Sequence, residues 1–413
     1  RIPPFRENDS DMKFGLQILQ QLPRPADSDQ WHEDDELNST RQLLEQIEAA
    51  DKLGFDYAFA VEHHFLEEYS HCSAPEVILG AAAARTKNIR LGHGIIHMPP
   101  KQNHPARVAE RVATLDIISN GRVEFGTGEG STVAELQGFG TTQAEKKEAW
   151  EEATRECLRM MTSVPYPGHE GTHFSMPERN VIPKPLQKPH PPVWVAASRR
   201  ETAMLAARMG IGALGFGFET PEEAEERVLR YYQLIRECRR PIGAAMNPAL
   251  VSVGNMLCAD TDEKATDIGL PGAQFFGLSI GWTLGQVNWG RDHIYREYLR
   301  RVESAKSAEE RDAATANEPT DEGARTLYRA ARRGLFIGSP KFIRDNLLRY
   351  EAAHMDAVFF LAQVGNRRHE QILESMELFA REVMPEFKER HHLHQKWREQ
   401  QLDGVQFPVN STI

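Results

Sequence analysis

The chain alternates repeatedly between a short run of β-branched or aromatic residues and a longer stretch whose apolar positions recur at helical spacing. No other feature constrains the fold as much, because a helix that packs back on the sheet sets the next strand parallel to the last. Eight candidate strands can be marked: "KFGLQILQ" (13–20), "YAFAVEH" (57–63), "IRLGHGII" (89–96), "RVEFGTG" (122–128), "PVWVAAS" (192–198), "ALGFGF" (213–218), "ALVSVGNMLCA" (249–259) and "AVFFLAQV" (357–364). Helical patterns fall between or after them at 39–55, 105–119, 145–161, 199–210, 221–238, 339–353 and 374–387. In the first, Ser39 and Gln42 are spaced as a capping box, Leu43, Ile47 and Ala50 share a face, and Gly54 supplies a stop. Eight strands, nearly all followed by helices, predict an α/β fold of the (β/α)8 TIM-barrel type with insertions; a doubly wound open sheet is the alternative with the same period.

With 413 residues, 40% of them hydrophobic, the chain can bury one large core. Met12 followed by "KFGLQIL" reads as a natural opening, which leaves residues 1–11 as an arm, 12–400 as a single barrel domain and 401–413 as a tail. Two stretches break the period. Prolines and glycines at about 164–192 predict a hairpin-like excursion. The second, about 270–335, joins an aromatic, glycine-rich part to a charged, Ala-rich part; before the last barrel strand it is placed to form a lid or substrate wall, or else an oligomer contact.

Composition excludes several classes. No long apolar run and no signal-peptide pattern are present, so the expected location is cytoplasmic, with no membrane partner. Cys72, Cys157, Cys238 and Cys258 lack CxxC spacing and predict neither disulfides nor a zinc cage. A net charge of −11 without basic clusters argues against nucleic acid.

In a parallel barrel the chemistry gathers where the strands end, and Glu62, His63, His64, His93, His97, Glu129 and Ser198 all fall there. Alternation along a strand sends His63 and His64 to opposite sides, so one should face the mouth while the other packs or bonds laterally. Such a histidine can ligate metal, exchange a proton, donate to a developing oxyanion, or serve structure alone. The first strand offers no His-x-His pair, so no metal site is expected. Ser198, Arg199 and Arg200 stand where a strand passes into a helix, a place suited to a phosphate monoester or to an ordinary N-cap. Gly126, Gly128 and Gly130 alternate at another strand end and would let a planar ligand approach the backbone.

Taken together, "MKFGLQ", "GFDYAFAVEHHF", "NIRLGHGIIHMPP", "HPARVAERVATLDIISNGRVEFGTGEG" and "PVWVAASRRETAMLAARMG" resemble, in order, the bacterial luciferase-like superfamily of flavin-dependent monooxygenases. The resemblance implies reduced FMN delivered by a separate reductase, O2 as co-substrate, and oxygenation of a small or medium organic molecule through a hydroperoxyflavin, by Baeyer–Villiger oxidation or hydroxylation. It places His63 beside the flavin, with His64 in support, and implies a non-proline cis peptide near Gly94 and Ile95. Gly128, Glu129, Ala197, Ser198, Arg199, Thr202 and Lys147 correspond to the cofactor-binding segments, and Glu135 to an acidic position near the flavin. Glu129 departs from an arginine in luciferase, so another base, Lys147, Arg199 or Arg200, must meet the phosphate. The aromatic insertion, with Phe275, Phe276, Trp282 and Trp289, would exclude water from the mouth. The resemblance also implies a homodimer. A deazaflavin-dependent oxidoreductase, a non-catalytic flavin-binding subunit and, more distantly, a metal-dependent barrel hydrolase are the alternatives.

Overall fold

The computed structural model describes residues 12–216, 221–285, 293–316 and 336–413. Its strands are β1 (Lys13–Ile18), β2 (Tyr57–Ala60), β3 (Arg90–His93), β4 (Ile96–His97), β5 (Val123–Gly128), β6 (His169–Glu170), β7 (Ser175–Met176), β8 (Val193–Ala197), β9 (Gly212–Phe216), β10 (Leu250–Cys258), β11 (Phe336–Gly338) and β12 (Ala357–Leu361). Eight of them close a parallel ring in the order β1, β2, β3, β5, β8, β9, β10, β12 and back to β1. The fold is a (β/α)8 barrel, and the open-sheet alternative fails because β12 pairs with β1. Each ring strand lies within one of the eight marked runs to within a residue, although 217–218 of the sixth run lie outside the described residues.

The ring closes because large and small side chains alternate across it. Tyr57, Phe59, Trp194 and Phe359 fill the interior, with ring centroids 5.0 to 6.0 Å apart. Neighbouring strands present glycine to them: a Cβ at Gly15 would lie 2.7 Å from Phe359, one at Gly92 2.5 Å from Phe59 and one at Gly212 2.4 Å from Trp194. The barrel is therefore a packed core with room for chemistry only at its ends.

Helices cover the outside by burying one stripe each. Asp35–Leu53 buries Leu43, Gln46, Ile47 and Ala50 and ends at Gly54, whose φ of 88° lets its N–H reach back to Ala50 and Asp51. It begins four residues before Ser39, so the expected Ser39–Gln42 capping box lies inside the helix; acidic Asp35 and Glu36 occupy its first turn instead. The run read as one helix at 374–387 is two, His369–Glu382 and Met384–Leu402, and Pro75–Arg85 is a helix that the spacing did not reveal. β6 and β7 form an antiparallel hairpin within 164–192.

The late insertion starts as helix Asp262–Gly285, with Pro271 inside it, and continues as Ile294–Glu303. Phe275 meets Tyr295 and Tyr298 between the two, and buried Glu68 accepts from the first N–H groups of the second helix. Trp282 packs against this cluster, while Trp289 and 317–335 lie outside the described residues. All four cysteines are buried thiols. Among the described residues no helix is long and apolar enough to cross a membrane.

At the N-terminal end the last residues fold under the barrel. The Tyr57 hydroxyl donates to the Thr412 carbonyl (2.8 Å), Thr412 Oγ1 donates to Glu124 (2.6 Å), and Arg398 donates to the Ile413 carbonyl (2.5 Å).

Candidate active site

β2 ends at Ala60, three residues before its marked run does, and 61–66 leave the barrel as an irregular segment. Phe65 and Glu67 take positive φ values of 64° and 46° there, conformations that L side chains hold only when neighbours enforce them. Before them the His63 N–H donates to the Cys72 carbonyl at 2.9 Å. Strand alternation thus does not dictate how His63 and His64 point; two carboxylates do.

Glu135 is the first. Its helix, Val133–Gly138, is capped by Thr132, whose Oγ1 accepts the Glu135 N–H (3.3 Å) and donates to Oε2 (2.6 Å). The other oxygen pairs with His63 Nδ1 at 2.9 Å, accepts the His64 N–H at 3.0 Å, and lies 4.0 Å from His97 Nε2. Burial works to raise the Glu135 pKa, but the charge and hydrogen bond of His63 outweigh it and hold the carboxyl at about 2. Glu62 is the second. It pairs with His64 Nε2 (3.0 Å), accepts the His97 N–H (2.8 Å) and takes Asn103 Nδ2 (2.9 Å). Against the burial that would raise it, His64, His97 and Asn103 keep this carboxyl below its ordinary value.

His63 is therefore fixed through Nδ1 while its Nε2 has no hydrogen-bond partner among the described residues. Tyr69 stands edge-on to its ring at 5.3 Å and stacks on Phe276 of the insertion at 6.0 Å, which brings the insertion to the rim of the site. His64 packs edge-on against Phe139 at 4.9 Å and bonds laterally. His97 is buried, its pKa lowered by burial against the opposing pull of Glu135 and Glu62, and its Nδ1 has no partner. His93 is also buried, which pushes its pKa down to about 4, and it faces Phe125.

The other expected residues divide. Gly126 and Gly128 are fully used by packing: a Cβ at Gly126 would lie 1.8 Å from the His93 carbonyl, and one at Gly128 2.5 Å from Ile95. They bring two strands close rather than opening space for a ligand. The Gly94–Ile95 peptide is trans, the cis bonds among the described residues all preceding proline, at Pro165, Pro183 and Pro189; Gln17 Nε2 holds the Gly94 carbonyl at 3.1 Å. Glu129 pairs with Lys146 at 3.1 Å, and Lys146 also donates to the Gly130 carbonyl, whereas Lys147 is exposed. Ala197 is buried, Ser198 and Thr202 are half-buried, and Arg199 and Arg200 are exposed at the start of helix Arg200–Arg208. Ser198 is not its cap, since Arg199 holds the N-cap position and no side chain closes it. Arg200 turns to Glu226 at 2.9 Å.

Sequence reasoning placed Glu62 at a strand end without naming its partners, and it missed Thr132 and Asn103. Thr132 had a visible signal, Thr132-x-x-Glu135, the spacing of a capping box. Asn103 had none.

A parallel barrel with a histidine–carboxylate cluster at the C-terminal ends of its strands is built as a barrel enzyme is built. The family profile described as luciferase-like monooxygenase matches residues 12–357, and the chain belongs to that family. A flavin-dependent trigonelline monooxygenase, oxygenase component, of Acinetobacter baylyi is 26% identical over 84% of this chain and 90% of its own length. An uncharacterized protein, y4wF, of Sinorhizobium fredii is 33% identical over 43% of this chain; the match spans about half, 52%, of that relative. Among solved structures, the oxygenating constituent of 3,6-diketocamphane monooxygenase from Pseudomonas putida, a type II Baeyer–Villiger enzyme in complex with FMN, superposes with a TM-score of 0.65 over 91% of this chain and 99% of that one, at 19% identity. At that identity the likeness establishes the fold.

Proposed function

We propose that the protein is the oxygenase of a two-component system that takes reduced FMN from a separate reductase and uses O2 to oxygenate a small or medium organic substrate, by Baeyer–Villiger oxidation of a carbonyl or by hydroxylation. The observation that carries this reading is His63, fixed by Glu135 through Nδ1 and open at Nε2, in a family of monooxygenases. The relative named as an oxygenase component supports the separate reductase.

The residues at the mouth fit a flavin. Gln17 Oε1, His97 Nδ1 and both amide atoms of Gln102 are buried without partners, as suits a planar ligand with both donors and acceptors. Gly94 and Ile95 would line the ring, with Glu135 reaching it through His63. For the phosphate, the N–H groups of helix Arg200–Arg208, left without a side-chain cap, would act with Ala197, Ser198, Arg199 and Thr202. Lys146 replaces Lys147 as the lysine of this set, because it neutralises Glu129 and so removes the repulsion that a free carboxylate would exert. Reduced flavin, when bound, supplies the electrons that activate oxygen. His63 would give or take a proton at the reacting oxygen through Nε2, while Glu135 stabilises the charged imidazole. Tyr69, Phe276 and the rest of the insertion wall would keep water out.

The test is oxygenation by the purified protein with reduced FMN from an unrelated reductase, across a panel of cyclic ketones and N-heteroaromatics under 18O2. One labelled oxygen in the product supports the reading. Hydride transfer with a deazaflavin and no oxygen uptake would replace it, and flavin binding without turnover on any substrate would favour the binding subunit. A homodimer belongs to the same proposal and is checked by light scattering.

A further inference from the structure

Three ligand-capable groups from three separate segments meet at the mouth: His63 after β2, His97 in β4 and Glu135 in helix Val133–Gly138. Among the described residues this is the only such set whose ligand atoms all lie within 4.8 Å of one another. We propose that His63, His97 and Glu135 form a binding site for a divalent transition-metal ion of the Zn2+ or Co2+ kind, and that an ion there excludes the proton chemistry assigned above to His63.

Distances carry the first part. Glu135 Oε1 lies 2.9 Å from His63 Nδ1 and 4.0 Å from His97 Nε2. Tetrahedral donors with metal bonds of about 2.0–2.2 Å stand about 3.3 Å apart, between those two values. Small side-chain shifts would therefore admit an ion without moving the backbone. The set is also braced from behind: Thr132 holds the far oxygen of Glu135, and Glu62 holds the peptide N–H of His97. Outer partners of this sort orient ligands and raise affinity. His97 is buried with Nδ1 unpartnered, so its imidazole is not already spent on hydrogen bonds.

Ligand type decides which ion. Two imidazoles and one carboxylate suit zinc, cobalt, iron or copper, whereas magnesium and calcium favour oxygen alone. Three protein ligands leave a position for water. The sequence disfavoured metal because the first strand lacks a His-x-His pair; here the ligands come from the segment after β2, from β4 and from helix Val133–Gly138, which spacing along the chain does not show.

The second part rests on the proposed function, since an ion between His63 and Glu135 takes the imidazole out of its present pair. The experiment keeps the two parts apart. Flavin-free, full-length protein is titrated with Co2+ while its visible d–d absorption is recorded. The expected result is one Co2+ per chain with a four- or five-coordinate spectrum, reversed by EDTA and displaced by one equivalent of Zn2+. His97→Gln and Glu135→Gln should weaken binding more than about 100-fold, with folding verified by circular dichroism. If either variant fails to fold, His97→Asn serves in its place. Absence of a saturable spectrum in the native protein, or the same spectrum in folded His97→Gln, would overturn the site. Where turnover with reduced FMN is established, full turnover with Zn2+ bound would overturn the exclusion alone.

Discussion

Asp356, at the N-terminal end of the barrel, and Glu135, at the C-terminal end, are both fully buried carboxylates paired with histidine, but their surroundings differ. Asp356 accepts from the Tyr232 hydroxyl (2.7 Å), His394 (2.9 Å) and the Leu250 N–H (2.7 Å), and it pairs with Arg398 at 3.2 Å. Arg398 is committed in turn to the Pro248 and Ile413 carbonyls. Burial would raise the Asp356 pKa, yet Arg398 and His394 keep it lowered, and the group has no access to a ligand. Glu135 instead holds a histidine whose second nitrogen is open, beside buried amide atoms with no partner. A closed network serves stability, and an open one has capacity left for a ligand.

The largest effect should come from breaking the closed end. Arg398→Met strips Asp356 of its main counter-charge and should cost about 3–5 kcal/mol of stability, measured by urea unfolding, with specific activity of the folded fraction unchanged. His63→Ala should invert that pattern. It is expected to lower oxygenation about 10²–10⁴-fold and to cost less stability than Arg398→Met, because Glu135 keeps the His64 N–H and Thr132 and can take up a proton.

Acid separates the ends further. Glu135 has a folded pKa of about 2 against an ordinary 4.5, so its contribution to stability is complete above pH 4.5 and is lost as pH falls toward 2. Across that window Glu135→Gln should show a shallower loss than the native protein, by up to about 1.4 kcal/mol per pH unit; parallel curves would show that Glu135 does not stay ionised. The smallest effect sharpens the phosphate assignment. Lys146→Gln and Lys147→Gln should each change stability by less than about 1 kcal/mol. Only the first should weaken reduced-FMN binding, by about tenfold or 1.4 kcal/mol, in fluorescence-quenching titrations. Equal weakening in both would return Lys147 to the site.

The ring of eight strands was legible because each is a short, dense apolar run, and buried parallel strands have little other sequence freedom. Boundaries failed where polar side chains set the backbone path. β2 stops at Ala60 because the next residues are shaped by Glu62 and the Cys72 carbonyl, and helix Asp35–Leu53 begins on acidic residues rather than on Ser39. His63 and Glu135 could be named through family resemblance, but their contact joins residues 72 positions apart, which no local spacing reveals. Gly126 and Gly128 misled for a physical reason: a glycine that admits a ligand and one that admits a neighbouring strand look alike in one dimension.

The most direct measurement is an anaerobic titration with reduced FMN followed by rapid mixing with oxygenated buffer, recording flavin absorbance for the native protein and for His63→Ala. One reduced FMN should bind per chain, and its reoxidation on the native protein should be slower than in free solution and release little peroxide, while the variant binds and reoxidises wastefully. Failure of reduced FMN to bind, or identical reoxidation by the two proteins, would contradict the assignment of the open histidine at the barrel mouth to flavin-dependent oxygenation.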